Sequence, residues 1–135
     1  MDEKVNDWVK ISEYALETAQ VMLRTEKYLY VGFMCHQAIE RVLKGYYLLA
    51  INTTPPRTGN LRLLAQESGL HSRFSEEQIS FLLVLETLSE EIRHPEFKDE
   101  ISGLIDRKRS KEMISSAREL HAWIRDTIEI KANSS

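Results

Sequence analysis

His36, Gln37, Glu40, Arg41 and Lys44 recur at steps of three and four along an otherwise apolar run, from Met34 to Tyr47. Residues three and four apart share one face of a helix, so these groups project together. An amide, a carboxylate and two cations on one face have the chemistry of ligand recognition. Gln37 and Lys44 would contact a base or a phosphate, and Glu40 would orient Lys44. Two plainer readings stand beside that one. The row is a solvated face whose Glu40–Lys44 pair adds about 0.2–0.5 kcal/mol, or it is a structural polar network at a helix or dimer interface. In all three, each polar group must find a partner or stay wet.

Arg93-His94-Pro95 is the second place where chemistry concentrates. It falls at a predicted helix C-terminus, where cations are favoured by the helix dipole. A guanidinium there is also a fork that fits phosphate. Glu91 and His94 have the spacing of half a bundle metal site, but the other half is missing. Phe33, Ser68 and Arg118 stand three before His36, His71 and His121, so no metal or other cofactor is expected. Tyr28, Tyr30, Tyr46 and Tyr47 could stack a base, though tyrosines at this spacing read first as core or interface residues. The basic cluster Arg107-Lys108-Arg109 with Lys111 is flanked by Asp106 and Glu112 and reads as a solvated helix start. Cys35 sits within the apolar set and reads as an inert buried thiol. No phosphate-cradling glycine loop, Ser/His/Asp arrangement or Cys/His metal spacing is present in the sequence.

The elements that position these groups are all helical in period. A first helix is predicted from about Asn6 to Arg24, with Trp8, Ile11, Ala15, Ala19, Met22 and Leu23 facing the core. A second runs from Tyr28 to Ile51, roughly 35 Å long. It is apolar on most sides and therefore central, and Gly32 and Gly45 permit close neighbours. Pro55-Pro56 breaks the pattern. A short helix from Asn60 to Glu67 follows, and Ser75 with Gln78 has the form of a capping box opening a helix to about Arg93. Residues 96–105 read as a loop. Asp106 or Ser110 caps a last helix whose stripe is Met113, Ile114, Ala117, Leu120, Ile124 and Ile128.

The expected fold is all-α: an antiparallel up-and-down bundle of four long helices and one short one. Its core is Ala15, Ala19, Met34, Ala38, Ile39, Val42, Leu82, Leu85, Ala117, Leu120 and Ile124. A chain of 135 residues fits one domain, here read as residues 1–135 with its core at about 5–128 and a frayed tail at 131–135. A net charge of −3 gives no global case for nucleic acid binding and leaves local basic patches open. No apolar run approaches the roughly 20 residues of a spanning helix, and the charged start Met1-Asp2-Glu3-Lys4 does not read as a secretory signal. A cytoplasmic protein away from membranes is the expectation.

The ordered combination resembles a known family. It comprises Trp8; Tyr28 and Tyr30; His36, Gln37, Ala38, Glu40, Arg41, Leu43 and Lys44; Pro55 and Pro56; Leu61 and Leu64; then Arg93-His94-Pro95. It resembles the HEPN family, named for "higher eukaryotes and prokaryotes nucleotide-binding". The resemblance implies a helical bundle that dimerises and that takes part in RNA cleavage, in toxin–antitoxin or defence-type systems, or in nucleotide binding beside a small nucleotidyltransferase. The ribonuclease members carry Arg, four to six residues, then His. After Arg93 those positions hold Lys98, Asp99 and Glu100, and His94 is adjacent instead. The expected function is therefore a non-catalytic module, forming a homodimer, that binds a nucleotide or RNA end or pairs with a separately encoded nucleotidyltransferase. The alternatives are a metal-independent ribonuclease using Arg93 and His94, and a purely structural dimerisation module.

Overall fold

Four of the five α-helices among the described residues begin where a side chain accepts from one of the first free amides, and the helix that follows Lys27 is the exception. The computed structural model describes residues 2–92, 94, 96 and 105–134, except the side chains of residues 91 and 92. Asp2 accepts from the Lys4 amide at 2.8 Å and opens α1, Glu3–Arg24, a turn earlier than hydrophobic period alone indicates. The turn after α1 closes as the Lys27 amide donates to the Met22 carbonyl at 2.8 Å. The central helix α2, Tyr28–Ile51, ends at Asn52, whose φ of 62° lies in the left-handed region that Asn tolerates. Asn60 caps the short α3, Leu61–Ser68. A 3-10 turn, His71–Arg73, leads to α4, Glu76–Ile92. There the capping box is complete: Ser75 Oγ accepts from the Gln78 amide at 3.1 Å, and Gln78 Oε1 accepts from the Ser75 amide at 2.8 Å. Asp106 accepts from the Arg109 amide and opens α5, Arg107–Asn133.

Two close approaches fix the topology. Gly45, near the end of α2, faces Trp8 and Val5 at the start of α1 and Ile128 near the end of α5. Gly32, near the start of α2, faces Leu88 late in α4 and Met113 early in α5. So α1 and α4 run against α2 and α5 runs with it, the up-and-down order. A Cβ on Gly45 would sit 3.2 Å from Trp8 Cβ, so a side chain there would press the helices apart.

The core is nearly the one the sequence indicates. Val31, Cys35, Ala38, Ile39, Val42 and Leu43 on α2 are fully buried, with Leu61, Leu64 and Leu85 beside them. Met34 is the departure: it is half-buried and packs at the margin. The buried row of α1 also differs. It is Val5, Val9, Ser12, Ala15, Leu16, Ala19 and Leu23, whereas Ile11 is 44% exposed and Trp8 and Met22 are half-buried. The helix carries two adjacent apolar rows sharing Ala15 and Ala19, and its neighbours cover the one beginning at Val5. At the other end, α5 continues to Asn133, and Ser134 closes it with a bond to the Lys131 carbonyl at 3.1 Å. Residues 131–133 are thus helical, where composition indicated fraying. The predicted loop at 96–105 lies largely outside the described residues.

One polar pair is buried between α1 and α5. Ser12 Oγ–H donates to the Val9 carbonyl, and Ser12 Oγ lies 2.7 Å from His121 Nε2. With the serine proton committed, the imidazole donates from Nε2. Burial first, then the Arg125 and Arg118 charges, lower the His121 pKa from 6.5 to about 4. Above pH 6.5 the ring is neutral in both folded and unfolded chains. As pH falls from 6.5 to 4, only the unfolded chain takes up the proton, so folding loses at most about 3 kcal/mol. Urea titrations at pH 7.5 and pH 4.5 should show that loss. The change should shrink in His121→Gln, which keeps a donor for Ser12 and cannot titrate.

Candidate functional site

The polar row on α2 divides in two. His36 is only 2% exposed. Its Nε2–H donates to the Gly59 carbonyl at 3.0 Å, a bond whose direction is fixed because a carbonyl only accepts. Its Nδ1 lies 3.8 Å from Glu40 Oε1. Glu40 Oε2 accepts from Lys44 Nζ at 3.1 Å. Lys44 Nζ in turn stands 5.7 Å from the centroid of the Trp8 ring, within cation–π range. The side chains of Glu40 and Lys44 are 14% and 11% exposed, so this is a largely desolvated chain from Gly59 through His36, Glu40 and Lys44 to Trp8. It ties the loop before α3 and the start of α1 to the central helix. The solvated-face reading therefore fails for these three residues. Gln37 and Arg41, on the neighbouring row, are half-buried and make no hydrogen bond or ion pair among the described residues.

Above His36 opens a cleft of about 220 Å³, lined by His36, Thr58, Gly59, Asn60, Glu86, Ser89 and Glu90. Its loop wall is held by local bonds. The Thr58 amide donates to the Pro56 carbonyl at 2.9 Å, and the Asn60 amide donates to Thr58 Oγ1 at 3.1 Å. Asn60 Oδ1 then caps α3 through the Leu63 amide at 3.0 Å. Glu86 Oε1 accepts from the Arg62 amide at 2.8 Å. The positive end of α3 already holds a carboxylate, where a free anion would otherwise be favoured. Among the described residues the cleft lining carries Glu86 and Glu90 and no Lys or Arg.

Of the residues singled out in sequence, the structure brings His36, Glu40 and Lys44 together, and only His36 lines the cleft. Arg93 follows directly on α4 and lies outside the described residues, as does Pro95. His94 is half-exposed, with Nδ1 3.5 Å from Glu96 Oε1 and Nε2 4.0 Å from Glu90 Oε1. The Glu91 carboxylate of the Glu91–His94 spacing is not described. No group of three or more His, Cys, Asp or Glu among the described residues is placed to hold a metal. Sequence reading did not single out Glu86, Ser89 and Glu90. Their spacing of three and four on α4 was the available signal, hidden because it carries no imidazole or cation. Burial pushes the Cys35 thiol up to about 12, only partly opposed by Arg118, which leaves it inert at neutral pH.

The sequence matches the HEPN domain over residues 5–127, and the chain belongs to that family. Its fold is similar to that in the crystal structure of TT1696 from Thermus thermophilus. The TM-score is 0.76 and the identity 19%, over 93% of this chain and 98% of that one. At that identity the likeness is one of fold. No curated protein matches the chain. No helix among the described residues is long and apolar enough to cross a membrane.

The two rows should respond differently to truncation. Glu40→Ala leaves Lys44 poorly solvated and unpaired, and should cost about 1–3 kcal/mol in urea denaturation. Gln37→Ala should stay within about 0.5 kcal/mol.

Proposed function

We propose that this HEPN domain is a non-catalytic module, acting as a homodimer, that binds a nucleotide or RNA end or pairs with a separately encoded small nucleotidyltransferase in a toxin–antitoxin or defence-type setting. The observation that carries the reading is the commitment of His36. It is the one imidazole lining the cleft among the described residues, its Nε2 proton is donated to Gly59, and the residue is only 2% exposed. A general base must reach the proton it removes, and the other ring nitrogen, Nδ1, is closed to solvent, 3.8 Å from Glu40 Oε1. The sequence also places no His at the ribonuclease spacing after Arg93. Glu86 and Glu90 favour a protein partner over a bare phosphate at the cleft. The nucleotide version needs a cation that the described lining lacks, and Arg93 is the candidate for it in the sequence.

A second reading has one observation in its favour. The His94 imidazole is accessible and has the Glu96 carboxylate 3.5 Å from Nδ1, an arrangement that can orient an imidazole acting as a base. That is the metal-independent ribonuclease built on Arg93 and His94.

Calorimetry with ATP, GTP and short RNAs, alongside copurification from the native host, separates these readings. The module reading expects a binding heat or a stoichiometric nucleotidyltransferase partner, with no cleavage of structured RNA. Cleavage lost in both Arg93→Ala and His94→Ala would replace it with the ribonuclease. Absence of heat, partner and cleavage would leave only the dimerisation module.

A further inference from the structure

The groove between α4 and α5 carries chemistry that the candidate site does not use. Its volume is about 290 Å³, and Phe81, Leu120 and Trp123 supply its apolar lining. Glu77 and Glu119 supply its charge, and among the described residues no Lys or Arg lines it. Both carboxylates are exposed, and neither makes a hydrogen bond or ion pair among the described residues. Gln78 at the same groove is already engaged in the capping box with Ser75. The two acidic groups are thus open acceptors beside aromatic surface.

Carboxylates next to aromatic faces select an organic cation and repel phosphate. Trp123 already receives one such cation. The guanidinium of Arg73 stands 5.7 Å from the ring centroid. Phe74 packs against the same indole at 5.3 Å between centroids, with the planes tilted by 55°. The ring is therefore held in place before any ligand arrives, which lowers the ordering cost of binding. The volume is at the lower edge of ligand pockets, about 300–1,000 Å³, and suits one long side chain. The acidic row also outlasts the groove. Glu112 is exposed and lies one turn before Ser116 on the α5 face that carries Ser116, Glu119 and Trp123. An extended segment with several positive charges matches that row better than a compact free cation.

We propose that the α4–α5 groove receives an arginine side chain from a basic segment of a protein partner. Glu77 and Glu119 take the guanidinium, and Phe81 and Trp123 cover the stem. The groove is separate from the His36 cleft, so a negative result with nucleotides leaves this assignment untouched.

Calorimetry on the full chain with acetyl-triarginine-amide tests it, with triglutamate and spermidine as comparison ligands. The tripeptide should bind, more weakly as salt rises, while triglutamate should give no heat. Glu77→Gln combined with Glu119→Gln should weaken binding at least tenfold, with the thermal melt confirming that the variant stays folded. No binding of triarginine, or unchanged affinity in the double variant, would overturn the proposal. Spermidine binding as tightly as the tripeptide would overturn the assignment to a peptide side chain.

Discussion

A helix packed on several sides has few places to keep polar groups, and α2 carries three of them into the bundle. His36, Glu40 and Lys44 stand next to one another in sequence along the helix. The chain of contacts ends at the Gly59 carbonyl in one direction and at the Trp8 ring in the other. Each end reaches a different part of the fold. Gly59 belongs to the connection leading to α3, and Trp8 to the first turns of α1. The polar row therefore does what apolar packing alone does not: it fixes where a loop without regular structure sits on the bundle, because a displaced Gly59 would leave a buried donor unsatisfied.

The same arrangement determines the cleft. Once Gly59 is anchored, Thr58 and Asn60 are placed, Asn60 caps α3, and the Arg62 amide faces Glu86 on α4. The resulting cavity is polar and its described charge is negative. A site that began as a basic-looking stripe in sequence thus presents carboxylates at its opening, with the stripe's own lysine turned away toward Trp8. The electrostatic character of the surface follows from which charges are neutralised inside and which are left outside. Glu40 neutralises Lys44; Glu90, Glu77 and Glu119 remain toward solvent.

Much of this was legible in the sequence, for identifiable reasons. The bounds of α2 follow from uninterrupted apolar period between two turns. The capping box at Ser75 and Gln78 and the cap at Asp106 are local hydrogen bonds written in adjacent residues. Gly32 and Gly45 marked close approaches that the fold uses. The departures come from tertiary choice. Two apolar rows on α1 are equivalent by period, and only the partners of α1 decide that Val5, Val9 and Leu16 go inside while Ile11 stays out. The carboxylates at the cleft belong to α4 and acquire meaning only when the Pro55–Pro56 loop folds over them. The family could be read from ordered motifs across the chain, whereas the direction in which His36 spends its proton required the position of Gly59.

The central claim is that His36 is a structural donor and not a ligand-binding or catalytic imidazole. Nitrogen-detected NMR of the His36 ring, in the free protein and with saturating ATP or short RNA, tests it most directly. A slowly exchanging proton on Nε2 is expected, and it should stay on Nε2 when ligand is added. A ring proton on Nδ1 alone, or a proton that leaves Nε2 on addition of nucleotide or RNA, would contradict it.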